Sequence, residues 1–523
     1  MTTIDTHVTS APASAGSGLA CVAEWVTTTD HKRIGRLYLG SAAVGFVGSA
    51  VVALLLGIER ISPSREWLDI GSLTQLFALQ RFGLTFMVML PLVVGLATAI
   101  VPLQVGARSL AFPRLAAAGF WAWLIGAVLA VVSVLNNGGP NGGNADFVDL
   151  FTLSAALAAA GFLAGAVSLV TTILTTRAPG MNMRRVPFFT WSVLVASLGL
   201  LVAMPVLIGQ LLYVFVAHRH PSLSELSGNR AFAEVVATFT RGRSRNRGLI
   251  FAGIGLVGVA VFGTVLQWPA TLRTSFLDLS FGEKLKDLLP FALVHGVPAL
   301  GALVAVALCA KGLSAKPTIT APLVFGLFSA LLALCGVAAS ALNHVAGAGL
   351  IGTTFEEGTW LALVFSAVLA TMGAVTYWGP KWWGRSLPPK AVLPLALLAF
   401  AGAALAALPL MVAGFADQPG GVFPAVERGS DAVVNFDYSG PMALWNLLSS
   451  VGHGMVLLAG LVFIAVAVRS VRAGERAGDD PWDGHTLEWA TTSPAPADNF
   501  AVVHIVQSAE PLLDLKPSNR SDT

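Results

Sequence analysis

Apolar runs long enough to cross a bilayer recur along nearly the whole chain, separated by short polar stretches. A spanning helix needs about 20 predominantly apolar residues. Eleven such runs stand out, at 36–58, 83–103, 116–135, 152–175, 187–216, 248–268, 289–311, 319–341, 359–378, 391–415 and 441–468. Each predicts a helix, because only a helix pairs all of its own backbone polar groups away from water. Gly, Ala and Ser recur within several runs, as close helix contact in lipid requires. The pattern predicts an all-α polytopic membrane bundle.

Composition narrows the picture. The chain is 55% hydrophobic and 11% charged, where a soluble domain carries about 25% charged residues. A net charge of +3 gives no footprint for nucleic acid, and the apolar runs make the lipid bilayer the expected partner. Cys21, Cys309 and Cys335 have neither metal nor disulfide spacing, and the latter two are expected to pack within spans. The glycines form no phosphate-cradling loop and no internal repeat appears. Residues 1–25 lack a basic start followed by an apolar run, so the first span is expected to serve as the insertion signal.

Basic residues sort by side, which sets orientation. Lys32, Arg33 and Arg36 precede the first span; Arg108 and Arg114 follow the second, and Arg177, Arg184 and Arg185 the fourth. Lys311, Lys316, Lys381, Arg385, Lys390, Arg469, Arg472 and Arg476 continue the series on the same side. The alternate loops are poor in Lys and Arg and hold Glu356, Glu357, Asp417, Glu427, Asp431 and Asp437. An N-terminal tail (1–30), a bundle (31–468) and a C-terminal tail (469–523) follow, both tails cytoplasmic and the protein integral to the cell membrane. Two termini on one side require an even number of crossings. Arg241, Arg243, Arg245 and Arg247 belong on the basic side, so 217–246 must return across the membrane with only Ala231–Thr240 apolar. A ten-residue helix covers roughly 15 Å, about half of the hydrocarbon core. The expectation is about twelve helices with the sixth shortened or lost. The tail at 470–523, with Pro481, Pro494, Pro496 and Pro511, is expected to be an irregular strap.

Thr29-Asp30-His31-Lys32-Arg33-Ile34-Gly35 is the first of five strings that together resemble subunit I of cytochrome c oxidase, of the haem-copper oxidase family, and is similar to the opening of that family's first helix. Pro102-Leu103-Gln104-Val105-Gly106-Ala107, followed by Ala111-Phe112-Pro113-Arg114-Leu115, resembles the loop between helices II and III. Arg177-Ala178-Pro179-Gly180-Met181 resembles the loop into helix V, and Pro380-Lys381-Trp382-Trp383-Gly384 the exit of helix X. Asp480-Pro481-Trp482 and Thr486-Leu487-Glu488-Trp489-Ala490-Thr491, down to Asn499-Phe500, resemble the tail. All five are loops or helix ends, so they speak for the scaffold and not for chemistry.

The resemblance implies six histidines holding haem and copper, since neutral imidazole ligates both metals. The helix II ligand position falls on Gln80, the two helix X positions on Gly358 and Trp360, and the helix VII copper pair near Leu266 and Gln267; the helix VI string is absent. Gln80 is a poor iron ligand, and Gly358 and Trp360 have no ligating atom. The proton-route positions implied by the family fall on Ser109, Ala116 and Ala302, none of them titratable. The expectation is therefore no catalytic residue, no metal ligand and no cofactor, although the family carries haem and copper.

Other histidines offer weaker readings. His295, His344 and His453 lie in or beside spans, where an ionisable residue is a functional candidate; the bland reading is a neutral ring bonded to a nearby carbonyl. His218 and His220 flank Arg219 and read as a solvated loop rather than a metal site. His31 belongs to the first scaffold string, and His7, His485 and His504 to the tails. Arg81 either snorkels to an interface or fills space left by a haem; the first is preferred. Trp378, Trp382 and Trp383 read as an interfacial belt. The leading functional reading, from the resemblance, is a non-catalytic scaffold or accessory subunit of the respiratory chain, a pseudoenzyme whose expected partners are other oxidase-like membrane subunits. An active terminal oxidase is the first alternative, a transporter using the vacated haem cavity the second. For that second alternative Gln80, Gln267 and the three histidines are the polar groups available.

Overall fold

The computed structural model describes residues 18–61, 68, 70–140, 142–219, 271–312, 318–420, 440–500, 502 and 504–515. A short helix α1 (Gly18–Val26) leads into α2 (His31–Ile61). Next come α3 (Ile70–Phe82) and α4 (Leu90–Val105), joined without a break by a π-helical turn over Gly83–Met89. Three long helices follow: α5 (Pro113–Leu135), α6 (Ala145–Thr175) and α7 (Phe188–Arg219). Then α8 (Phe281–Phe291) runs through a second π turn, Ala292–Gly296, into α9 (Val297–Gly312). The remaining spans are α10 (Ala321–Asn343), α11 (Thr354–Trp383), α12 (Pro389–Phe415) and α13 (Met442–Ala473), with a short α14 (Pro511–Leu515) in the tail.

Ten of these segments are long and apolar enough to cross a membrane, and they account for ten of the eleven expected spans. The eleventh, 248–268, and almost all of the expected short sixth helix lie outside the described residues.

Local chemistry sets the helix ends. Asp30 opens α2 by accepting the backbone N–H of Lys32 at 3.0 Å. Gly106 and Gly384 close α4 and α11 in the left-handed region, at φ 74° each, where glycine avoids the side-chain clash. Proline stands at the start of α5, α10 and α12, where its missing N–H costs nothing.

Two cores are built on this frame. One joins α4, α5, α6 and α7; the other joins α2, α10, α11, α12 and α13. Small residues bring the axes together: a Cβ on Gly119 of α5 would sit 2.7 Å from the Gly161 carbonyl of α6. Helix α11 is the central one. Of its most apolar stretch 89% is buried, against 33% for α13, so α11 faces protein on all sides and α13 largely faces lipid.

Beyond α13 the chain is an irregular strap, as its prolines predict, and it is packed on the bundle rather than loose. Leu487, Trp489, Asn499 and Val506 are buried. Trp378 and Trp382 lie beneath the strap and are buried, which corrects their reading as an interfacial belt. Trp378 packs on Phe189 and donates to Glu488 at 3.3 Å, and Trp383 contacts Trp382.

Candidate functional site

At one end of the bundle the five scaffold strings meet one another. His31 bonds the Thr98 carbonyl through Nδ1 and Asn499 Oδ1 through Nε2, both at 3.1 Å. The Lys32 ammonium donates to Asn499 Oδ1 and to the Pro496 and Ala497 carbonyls. Asn499 Nδ2 donates in turn to Ala107 and Arg108. Lys381, fully buried, donates to the carbonyls of Asp479, Thr491 and Thr492. Glu488 accepts from Gln104 at 3.0 Å, and Gln104 accepts from Thr190 at 2.7 Å. Trp489 donates to the Tyr377 hydroxyl at 2.7 Å. These contacts cross-link helix ends by hydrogen bonds to buried charges, and none of them presents a reactive group to a substrate.

The positions that resemble cofactor sites lie toward the other end. Gln80 (α3) is buried beside Arg60 (α2), Glu357 (α11) and Asn446, Ser449 and His453 (α13), around a cavity of about 10 Å3. That is room for roughly one water. Arg60 forms a buried ion pair with Glu357, their side chains 7% and 6% exposed, and its guanidinium lies 5.0 Å from the Phe77 ring. Asn446 donates to the Arg60 carbonyl and accepts from Gln418, both at 3.1 Å. Two corrections follow. Glu357 belongs to the interior and not to a solvated acidic loop, and α2 continues past residue 58 to carry Arg60 inward. The polar groups within the bundle therefore extend beyond Gln80, Gln267 and the three histidines.

Gly358 faces α12 so closely that a Cβ there would lie 2.6 Å from the Ala407 carbonyl and 2.8 Å from Met411. Trp360 is buried, with the Arg81 guanidinium 5.6 Å from its ring. Arg81 is 51% exposed and 4.0 Å from Glu356, the outward-reaching arrangement preferred from sequence. Ser109 is exposed, and Ala116 and Ala302 are buried. Leu266 and Gln267 lie outside the described residues.

The histidines divide. His344 Nδ1 donates to the Ser340 carbonyl and His453 Nδ1 to the Ser449 carbonyl, each at 2.8 Å, as the bland reading expects. His295 differs: its Nε2 is buried without a partner among the described residues, and its ring stacks on His344 at 4.1 Å. The π turn carries His295 to the end of α10, a contact that no i, i+4 spacing encodes. His218 is not part of a solvated loop. It ends α7 and bonds Asp149 of α6 at 2.8 Å, while Arg219 pairs with the same carboxylate at 2.6 Å; His220 lies outside the described residues. Among the described residues, no three His, Cys, Asp or Glu side chains gather as a metal site.

Comparison with known proteins follows the scaffold. Residues 33–240 match the family model described as cytochrome c and quinol oxidase polypeptide I. A probable cytochrome c oxidase subunit 1-beta of Nocardia farcinica is 28% identical over 96% of this chain and 90% of its own length. Cytochrome c oxidase subunit 1 of Bacillus sp. PS3 is 26% identical over 93% of this chain and 83% of that protein. Over most of its length the chain is thus similar to cytochrome c oxidase subunit I. The bundle is similar to a solved haem-copper terminal oxidase dimer, with a TM-score of 0.52 and 14% identity over 84% of both chains; that likeness concerns the fold.

The resemblance to subunit I implies haem and copper, so the fit can be tested on the residues present. At position 358 there is no room for a methyl group without displacing α12. Position 360 carries an indole that is itself packed. Beside Gln80 the interior is filled by an ion pair and a cavity of one-water size, far below what a porphyrin needs. The described positions do not fit a haem.

Proposed function

We propose that this subunit I-like chain is a non-catalytic membrane scaffold or accessory subunit, without haem or copper, that assembles with other oxidase-like membrane subunits. The observation that carries the reading is the approach of Gly358 to Ala407 and Met411. Helix α11 is packed shut against α12 where the family's ligand position falls. The Arg60–Glu357 pair supports it, because a buried charge pair supplies the interhelical tie that a prosthetic group would otherwise give. The transporter alternative would need a larger chamber than the one beside Gln80.

The protein resides in the cell membrane with both termini cytoplasmic, as the distribution of Lys and Arg argues. A reporter fused after residue 523 is active in the cytoplasm; activity outside would reverse the orientation. The function is tested on protein purified from native membranes, with visible spectra, elemental analysis and the identity of co-purifying subunits. The expected result is no Soret band, no stoichiometric copper and a set of membrane subunits retained. One haem per chain would overturn the reading in favour of an active terminal oxidase.

A further inference from the structure

The cavity beside Gln80 contains an unusual acceptor. A carbonyl oxygen only accepts hydrogen bonds, so the contact from His453 Nδ1 to the Ser449 carbonyl at 2.8 Å places the ring proton on Nδ1. The other nitrogen, Nε2, then carries a bare lone pair. It is buried without a hydrogen-bond partner among the described residues, on a side chain that is 4% exposed and lines the cavity. The same cavity is lined by two donors from other helices, the Arg60 guanidinium and the Gln80 amide.

A buried acceptor left unmet costs stability, and the surroundings restrict what can meet it. A metal ion at Nε2 would face the Arg60 cation across a cavity of about 10 Å3, with the Glu357 carboxylate already engaged by Arg60. An anion would be repelled by the lone pair. An apolar molecule would leave Nε2 unmet. The group required is a donor toward His453 and an acceptor toward Arg60 or Gln80, of the size of one water.

We propose that this cavity is a specific binding site for one water molecule, which donates to His453 Nε2 and accepts from the Gln80 amide or Arg60. The water thereby joins α13 to α3 or α2 at the place where the family position for a haem ligand falls. This inference rests on the reading that no haem occupies the site.

The test is a crystal or electron cryo-microscopy map of the full chain at a resolution that shows ordered water, with the visible spectrum recorded on the same sample. The expected result is one peak within hydrogen-bond distance of both His453 Nε2 and the Gln80 or Arg60 side chain. In His453→Phe that peak is lost while the Arg60–Glu357 pair remains. A second readout does not depend on the variant folding. In wild-type protein, infrared spectra show one buried O–H stretch that shifts on exchange into heavy-oxygen water. A Soret band overturns the functional reading itself. A spectrum without one, together with no peak or with the Gln80 amide bonded directly to Nε2, overturns the water site alone. A peak that persists in His453→Phe also overturns it.

Discussion

The two ends of the bundle have had different fates. Where the strap lies, four of the five strings resembling the oxidase family meet at Asn499, Lys381 and Glu488, and the fifth joins them through the Ala178 N–H on the Val105 carbonyl. Around Gln80 the ligand positions are held by a glycine, an indole and an amide, and the polar contacts are made by residues the family strings do not contain. On the proposed function, the frame of a cofactor protein and its chemistry are physically separable. The frame is set by helix-end hydrogen bonds that involve no cofactor, so the interior can be refilled without loosening them.

The largest test of that contrast is on the interior. Glu357→Leu leaves the buried Arg60 guanidinium without its carboxylate and is expected to cost about 3–5 kcal/mol, read as a lowered unfolding midpoint in detergent. The double replacement Arg60→Met with Glu357→Leu is expected to recover most of that loss, since an apolar pair of similar volume removes both desolvated charges. A double variant as unstable as the single one would mean that the pair does more than offset its own burial.

At the strap the effect is smaller per residue. Asn499→Leu strips an acceptor from Lys32 and should cost roughly 1.5–3 kcal/mol, the worth of a hydrogen bond to a charged group. The strap should then become sensitive to protease while the spans stay protected; uniform sensitivity would mean that the strap and bundle unfold as one unit.

Smallest is Arg81→Ala. Its contact with Glu356 is 4.0 Å long and half exposed, so a change below about 1 kcal/mol is expected. A larger loss would reassign Arg81 from the surface to the filling of the interior.

Much of the frame was legible in the sequence because long apolar runs and basic loops report directly on the bilayer. The ten described spans, the irregular strap and the surface placement of Arg81 follow from that. Glu357 was misread because it adjoins Glu356 in a loop-like acidic pair. One step along a helix turns a side chain by about 100°, enough to send Glu356 out and Glu357 in. Arg60 was missed for a related reason, since a charge at the end of an apolar run reads as the membrane boundary. The stack of His295 on His344 depends on a π turn, which shifts the helical register and leaves no periodic mark in the sequence. Trp378 and Trp382 pointed to an interface because the hydropathy pattern does not show that a strap returns to cover them.

The strap also sets an order of events during synthesis. His31 and its Asn499 partner are 468 residues apart in the chain. At 5–20 residues per second, the asparagine is made on the order of 20–90 s after the histidine. Until then the first span sits in the membrane with Lys32 served by Asp30 and water, and the helix ends that Asn499 joins stand open. Any subunit that must reach those ends has that interval to do so.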